Sequence, residues 1–218
     1  AVAAMAQAAG AEAIHVSAFG YGHPLLWGST PREPGFLLPL AAHVKQAVGV
    51  PVIAVGRLDP AAGDAAITDG QADFIAFGRA LIADPELPRK VSDGALDDIR
   101  PCLGCLKCLH GLHHDGAVVC SVNAQVGREA EAPPSVAARS RKVVVVGGGP
   151  AGMEAARVAA QRGHRVVLFE RESTLGGQLI PGARPPGKAE VAAFNRHLAG
   201  QLTKLGVTVK LGQSATAA

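Results

Sequence analysis

The residues best suited to chemistry are four cysteines that fall inside one nineteen-residue window, and the chain has no others. They are Cys102, Cys105, Cys108 and Cys120, so the first three are spaced C-x₂-C-x₂-C. Four thiolates can anchor a [4Fe–4S] cube or surround a tetrahedral Zn²⁺. The close spacing favours the cube, because three near ligands can wrap three irons, whereas zinc ligands more often come as two pairs. Zinc is the alternative, and disulfides are disfavoured in a chain of this size.

Two Gly-Arg pairs, each placed directly after a β-rich run, are a second candidate site. They are Gly56-Arg57 and Gly78-Arg79. Glycine permits close approach of the backbone, and a guanidinium offers a fixed fork of donors to phosphate. Because ligands of parallel α/β folds bind at the carboxyl ends of the strands, both pairs are predicted to hold a phosphate. The alternative is that the two arginines form surface ion pairs with Asp59 and Asp84.

A third candidate is the sequence Gly147-Gly-Gly-Pro-Ala-Gly152, which stands between a predicted strand and a predicted helix. With an acid at the end of the next strand, this G-x-G-x-x-G pattern indicates dinucleotide binding. Gly147 would permit the turn, Gly149 would let pyrophosphate approach, and Gly152 would let the helix pack on the strand. Glu170 would accept a hydrogen bond from the adenosine ribose, which disfavours a 2′-phosphate there. Further glycines just after it favour FAD over NAD.

Strands and helices must position these groups. β-rich runs alternate with helical patterns in both halves of the chain, which predicts an α/β fold with parallel sheets. The predicted strands are 13–18, 51–55, 73–77, 142–146, 165–169 and 207–211, and the predicted helices are 1–9, 37–47, 61–68, 80–82, 153–162 and 191–205.

Composition limits the expected partners. The chain has 218 residues, of which 48% are hydrophobic and 18% charged, and its formal net charge is +3. So small a charge, with no run of Lys and Arg, gives no support for nucleic-acid binding, and small anions are the expected partners. No apolar run approaches the roughly 18 residues of a membrane helix, so we expect no membrane span and a cytoplasmic location.

Taken in order, these motifs resemble those of a known family. The ordered set comprises Gly56 to Pro60, Gly78 to Pro85, Arg100 to Cys105, Cys120 to Asn123 and Gly147 to Gly152. It is similar to the old yellow enzyme relatives that carry iron–sulfur, among them 2,4-dienoyl-CoA reductase and trimethylamine dehydrogenase. The resemblance implies the C-terminal part of an FMN-binding (β/α)₈ TIM barrel over residues 1–100, an iron–sulfur loop over 101–128, a linker over 129–141, and the N-terminal part of a Rossmann-like FAD/NAD(P)-binding domain over 142–218.

The resemblance also implies roles for individual residues. Arg57, Gly78 and Arg79 would hold the FMN phosphate, and the four cysteines would hold a [4Fe–4S] cluster. The implied FAD contacts are Ala151, Glu170, Gln178 and Lys188, with the backbone near Ala215. His23 follows the first predicted strand, where reductases of this family place a histidine that assists proton delivery. A histidine with only a local structural role is the alternative there.

A member of this family would pass electrons from NAD(P)H through FAD, the cluster and FMN to an enone-like or 2,4-dienoyl-CoA-like small molecule. The tight spacing around Leu106-Lys107 is closer to that of amine dehydrogenases, in which the substrate reduces FMN and electrons leave through the cluster to an external carrier. A zinc-stapled nucleotide-binding module without redox function is a third reading. His110, His113 and His114 are interpreted as exposed loop residues, because four thiolates already complete a site.

The chain is expected to be a fragment. Residues 1–9 are typical of the tail of a helix, and counterparts of roughly the first five barrel strands are missing from the sequence. By the resemblance, those strands would carry most contacts to the FMN ring and the usual tyrosine proton donor. The NAD(P)H site would also lie outside the 218 residues, so we expect the chain to be inactive alone.

Overall fold

The computed structural model describes residues 1–18, 33–131 and 135–216. The chain divides into two compact units. The first comprises Ala1–Pro85 and Gly104–Leu106, and the second comprises Glu86–Leu103 and Lys107–Ala218. Glu86–Leu103 therefore groups with the second unit, although the sequence-based boundary is at residue 100. Among the described helices, none combines the length and apolar character needed to cross a bilayer.

The first unit contains a parallel three-stranded sheet flanked by helices. The strands are β1 (Ile14–Val16), β2 (Val52–Ala54) and β3 (Phe74–Ile75), hydrogen-bonded in the order β1-β2-β3. The helices are α1 (Val2–Ala8), α2 (Leu38–Ala47), α3 (Pro60–Thr68) and α4 (Arg79–Ala83). Each strand lies inside its predicted range, shortened by one or two residues at each end.

Small apolar side chains allow α2 to lie closely against this sheet. Ala41 of α2 is buried with Val52 and Ala54 of β2, next to Ala72. α3 begins where the sequence provides both helix-start signals, since Pro60 occupies its first turn and the Asp59 carboxylate accepts the Ala62 N–H at 2.8 Å. Because β2 and β3 are parallel, their carboxyl ends deliver the two Gly-Arg pairs to one edge of the sheet.

The second unit has its own parallel sheet. β4 (Lys142–Val146), β5 (Arg165–Phe169) and β6 (Thr208–Lys210) are hydrogen-bonded in the order β4-β5-β6. The helices are α5 (Leu87–Ser92), α6 (Lys107–His114), α7 (Pro150–Gln161), α8 (Leu179–Gly182) and α9 (Ala189–Lys204). The buried side chains of this unit include Met153 on α7, Leu168 on β5, and Leu198 and Leu202 on α9. The predicted α/β class with parallel sheets is confirmed in both units.

The structure corrects the interpretation of the segment after the third cysteine. His110, His113 and His114 are exposed as expected, but they lie on helix α6 and not in a loop. The chain that follows the helix folds back onto it, which the sequence did not indicate. Gly111 is buried against the following chain, and a Cβ on it would lie 2.6 Å from the carbonyl oxygen of Ala117.

The end of the predicted linker is attached to the second unit. The Ala137 N–H donates to the Arg162 carbonyl at 2.9 Å, and the Ser140 hydroxyl donates to the Gly163 carbonyl at 2.7 Å. The Arg141 N–H donates to His164 Nδ1 at 3.3 Å, one residue before β4 begins. These contacts fix the path of the chain into the glycine-rich turn.

Candidate functional site

The glycine-rich turn between β4 and α7 has a shape that requires glycine at two positions and leaves space at a third. Gly147 has a φ of +100°, a conformation that other residues rarely adopt. A Cβ on Gly152 would lie 1.9 Å from the Gly147 carbonyl oxygen, so α7 can approach the turn only without a side chain there. A Cβ on Gly149 would meet no atom within 4 Å among the described residues. The turn is therefore open at the start of α7.

Glu170, at the end of β5, closes this turn from the side. Its Oε2 accepts the Gly148 N–H at 2.6 Å and its Oε1 accepts the Glu172 N–H at 2.9 Å. These two amide donors hold the pKa of the buried Glu170 carboxyl below its usual value, and the Glu172 N–H has the larger effect of the two. The group is therefore ionised at neutral pH. Because a carboxylate can accept about four hydrogen bonds, acceptor capacity remains for a ligand hydroxyl.

A second glycine-containing loop packs on the first. The Gly176 N–H donates to the Gly148 carbonyl at 2.8 Å, and a Cβ on Gly177 would lie 3.1 Å from the Gly149 Cα. Gly176 and Gly177 both have positive φ, of +130° and +50°. The structure thus brings the glycine turn, the acid after β5 and this second loop into one place, as their sequence spacing predicts for a dinucleotide site.

Asn195 on α9 supports the second loop and was not identified from the sequence. Its Nδ2 donates to the Leu175 carbonyl at 3.2 Å, while its Oδ1 is buried and has no hydrogen-bond partner in the part of the chain that the structure describes. A Cβ on Gly176 would lie 2.6 Å from Asn195 Nδ2. Asn195 lies on α9 beside Phe194 and His197, which are both buried. A polar residue at such a position of an amphipathic helix is the sequence signal that could have indicated this role.

The other predicted FAD contacts lie around this region. Ala151 is exposed in the first turn of α7, and Gln178 is exposed immediately before α8. Lys188 is partly buried immediately before α9, and Ala215 is exposed after β6. The Gln213 N–H donates to the Glu170 carbonyl at 3.0 Å, which ties the chain leading to Ala215 to the acid after β5.

In the first unit, the two Gly-Arg pairs follow β2 and β3. Gly56 has a φ of +137° and Arg57 a φ of +53°. A left-handed conformation at arginine is strained, and such strain is common at functional sites. Arg79 is the first residue of α4, and its Nη1 is buried with no hydrogen-bond partner among the described residues. A buried guanidinium nitrogen that lacks an acceptor fits a site whose acceptor is an anionic ligand.

Arg57 also contacts the turn that carries the first two cysteines. Gly104, between Cys102 and Cys105, is buried, and a Cβ on it would lie 3.5 Å from Arg57 Nη2. Gly104 and Leu106 both have left-handed backbones, with φ of +62° and +60°. The Arg57 guanidinium therefore lies against the turn between the first two cysteines, a position that the sequence did not indicate.

No disulfide joins the four cysteines, all of which lie in the part of the chain that the structure describes. Cys105 is exposed, Cys102 and Cys120 are partly buried, and Cys108 lies partly buried in the first turn of α6. Four thiols have the donor chemistry of a cluster or zinc site. Within the described residues, however, no three His, Cys, Asp or Glu side chains form a group that could hold a metal ion. His23 lies outside the described residues.

Two protein-family models match separate parts of the chain. The NADH:flavin oxidoreductase / NADH oxidase family matches residues 26–98, and the FAD dependent oxidoreductase family matches residues 142–204. The first match includes both Gly-Arg pairs, and the second includes the glycine turn, Glu170 and Asn195.

Known proteins match nearly the whole chain. NADH oxidase from Thermoanaerobacter brockii is 42% identical over 99% of this chain and 34% of its own length. Dimethylamine dehydrogenase from Hyphomicrobium sp. is 38% identical over 82% of this chain and 26% of its own. Among solved structures, 2-naphthoyl-CoA reductase in complex with 2-naphthoyl-CoA aligns with a TM-score of 0.94 and 34% identity, over 99% of this chain and 34% of that one. The chain thus spans about a third of the length of the relatives it matches.

Proposed function

We propose that the chain forms part of an iron–sulfur flavoprotein that reduces an enone-like or 2,4-dienoyl-CoA-like small molecule, because it matches the NADH:flavin oxidoreductase / NADH oxidase family over residues 26–98 and is similar to 2-naphthoyl-CoA reductase. The observation that carries the proposal is the open glycine turn of the second unit, closed on one side by the ionised Glu170. When bound, FAD, FMN and the cluster supply the transfer of electrons between NAD(P)H and the substrate. The residues of this chain bind and orient those groups.

In the second unit, the proposed ligand is the ADP part of FAD. Pyrophosphate would approach the backbone at Gly149, where the start of α7 presents free N–H groups and a partial positive charge. The Glu170 carboxylate would accept the ribose hydroxyl with its remaining lone pairs. Ala151, Gln178, Lys188 and the backbone near Ala215 are the further proposed contacts. Such contacts would be those of a Rossmann-like domain, of which residues 142–218 would be the N-terminal portion.

In the first unit, the proposed ligand is the phosphate of FMN. Arg79 Nη1 would find its missing acceptor in a phosphate oxygen, next to the backbone of Gly78 and the guanidinium of Arg57. A phosphate site after the last two strands is the arrangement of a (β/α)₈ barrel, of which residues 1–100 would be the C-terminal part. His23 is the proposed residue for proton delivery to the substrate.

The four cysteines are the proposed ligands of a [4Fe–4S] cluster. The support is their spacing and the absence of disulfides between them. Cysteines that are not joined by disulfides are also consistent with the reducing cytoplasm, where we place the protein. Anaerobic analysis of the full-length protein should find iron and acid-labile sulfide, with Cys108→Ser lowering both. One zinc per chain without sulfide would instead establish the zinc-stapled module.

Binding of FAD is tested with a pair of glycine variants. Gly149→Ala would place a methyl group in the open turn and should reduce the FAD content of the purified full-length protein at least tenfold. Gly200→Ala is the matched control, because a Cβ there also meets no described atom within 4 Å but lies far along α9. Unchanged FAD in Gly149→Ala would remove the turn from the pyrophosphate site.

Oxidation of an amine is the second candidate function, favoured by the 38% identity to dimethylamine dehydrogenase. The two functions differ in which compound reduces the flavin. Anaerobic mixing of the full-length protein with NAD(P)H, and separately with dimethylamine, should bleach the flavin absorbance only with NAD(P)H. A following addition of 2-naphthoyl-CoA should restore the absorbance. Bleaching by the amine alone would favour the second candidate.

A further inference from the structure

The exposed side of α6 carries two histidines whose rings already lie side by side. His110 and His114 are four residues apart, so on a helix they share a face. Their ring centroids are 4.3 Å apart and the rings are tilted by 32°. Both side chains are exposed, so water can complete the coordination of an ion held between them. In a loop, two histidines four residues apart would not have to share a face, so the helical conformation of α6 is essential to the argument.

The spacing of the two rings matches that of two imidazoles on one metal. With metal–nitrogen bonds of about 2.1 Å and the right angle of a square-planar or octahedral ion such as Cu²⁺ or Ni²⁺, the two ring centroids would be about 4.6 Å apart, a few tenths of an ångström from the observed separation. Imidazole nitrogens select Ni²⁺, Cu²⁺ and Zn²⁺ over Mg²⁺ and Ca²⁺. We propose that His110 and His114 form a two-histidine site for a divalent transition-metal ion on the surface of α6.

This site is separate from the proposed cluster ligands although it shares their helix. At about 100° per residue, His110 and His114 are turned by about 200° and 240° from Cys108 around the helix axis. An ion on the histidines therefore lies on the opposite side of α6 from that thiol. Because the ion joins positions one turn apart, its binding stabilises α6 in the helical state.

Calorimetric titration with Ni²⁺ tests the proposal on the full chain. His110→Ala and His114→Ala should each bind one Ni²⁺ fewer per chain than the unmodified protein. His113→Ala is the matched control on the same helix and should bind the same number. Ions held by the cysteines are common to all four proteins and cancel in the comparison. Equal binding in all four proteins, or an equal loss in His113→Ala, would overturn the assignment.

A second measurement covers variants that alter the helix itself. Ni²⁺ should raise the melting temperature of the unmodified protein and of His113→Ala by more than that of His110→Asn, which keeps a polar side chain on the surface. Circular dichroism without metal should be the same for all three proteins. A rise in His110→Asn equal to that of the unmodified protein would show that the ion binds elsewhere. The result does not depend on the proposed flavin chemistry.

Discussion

The two units prepare their candidate anion sites in opposite ways. In the second unit, the glycine turn is held by internal hydrogen bonds, since Glu170 accepts the Gly148 N–H and the Gly148 carbonyl accepts the Gly176 N–H, and the Oδ1 of Asn195, which has no partner in the described part of the chain, lies behind the second loop. In the first unit, Arg79 holds a buried nitrogen without a partner among the described residues, and Arg57 adopts a strained backbone. One site is organised by its own hydrogen bonds, whereas the other lacks an acceptor. Changing a polar group should therefore affect folding in the second unit and ligand binding in the first.

The largest expected effect is that of Gly152→Ala in the second unit. The added Cβ would lie 1.9 Å from the backbone oxygen of Gly147, which cannot move aside as a flexible side chain can. We expect the free energy of unfolding of this unit to fall by about 4 kcal/mol or more. Urea unfolding, monitored by hydrogen exchange of the β4 and β5 amides, measures this fall in the free energy of unfolding.

Gly200→Ala serves as the control for that variant too. It lies within α9, and an alanine there meets no described atom within 4 Å. Replacing a helical glycine should stabilise the protein by about 0.5–1 kcal/mol. If the two variants unfold alike, close packing of α7 on the turn does not hold the second unit together.

In the first unit, replacing Arg79 by methionine should lower ligand affinity without lowering stability. The variant keeps an unbranched apolar stem and removes the buried unpaired nitrogen, so the flavin-free protein should be as stable as before or more stable. Affinity for FMN should fall about 10- to 100-fold, because hydrogen bonds to a charged group contribute about 1.5–3 kcal/mol. Flavin fluorescence titration and thermal unfolding measure the two quantities.

Arg128→Ala is the charge-matched control for Arg79→Met. Arg128 is an exposed arginine, so its removal changes the net charge equally without touching a Gly-Arg pair. Its FMN affinity should not change. Loss of stability in Arg79→Met without loss of FMN affinity would mean that Arg79 is a structural arginine, and the contrast between the two units would disappear.

The sequence predicted the second site more completely than the first, for a physical reason. A site made from backbone conformation needs glycine at fixed positions, so its spacing is visible in the chain, as at Gly147 and Gly152. The helix predicted over 61–68 matches α3 to within one residue at its start. The α/β class followed from the same local signals.

Contacts between distant residues were not visible. The Arg57 guanidinium on Gly104, Asn195 on Leu175, and the Asp98 carboxylate accepting from Gln201 and Lys204 each join segments far apart in sequence. The helix at α6 was also missed, and the chain just after it folds back so that Gly111 is buried near Ala117.

A smaller effect is expected for Glu170→Gln in the second unit. The amide retains one acceptor oxygen and turns its NH₂ toward a backbone N–H, which leaves one donor unsatisfied and costs about 1–3 kcal/mol. The folded-state pKa of Glu170 lies below the ordinary 4.5, so its stabilising contribution is present above pH 4.5 and is lost as the pH falls through the lowered pKa. The variant should lack this acid-induced loss in β4 and β5, as measured by hydrogen exchange between pH 6 and pH 3. An unchanged pH profile would mean that the carboxylate does not hold the turn.

The smallest effect should come from the corresponding carboxylate of the first unit. Asp73 accepts Lys45 Nζ at 2.6 Å and the Val52 N–H at 2.7 Å, so it too binds the backbone at a strand. The Lys45 ammonium, followed by the Val52 N–H, lowers the pKa of Asp73 from 3.8, and its contribution is likewise lost in acid as the pH falls through the lowered value. Both partners are about one-third exposed, so water and salt screen the pair. Asp73→Asn should therefore destabilise β2 less than Glu170→Gln destabilises β5, and 0.5 M salt should reduce only the Asp73 effect. If Asp73→Asn destabilised its strand more than Glu170→Gln, carboxylate–backbone hydrogen bonds would organise the first unit as strongly as the second. The Nη1 of Arg79, unpartnered among the described residues, would then be an exception in the first unit.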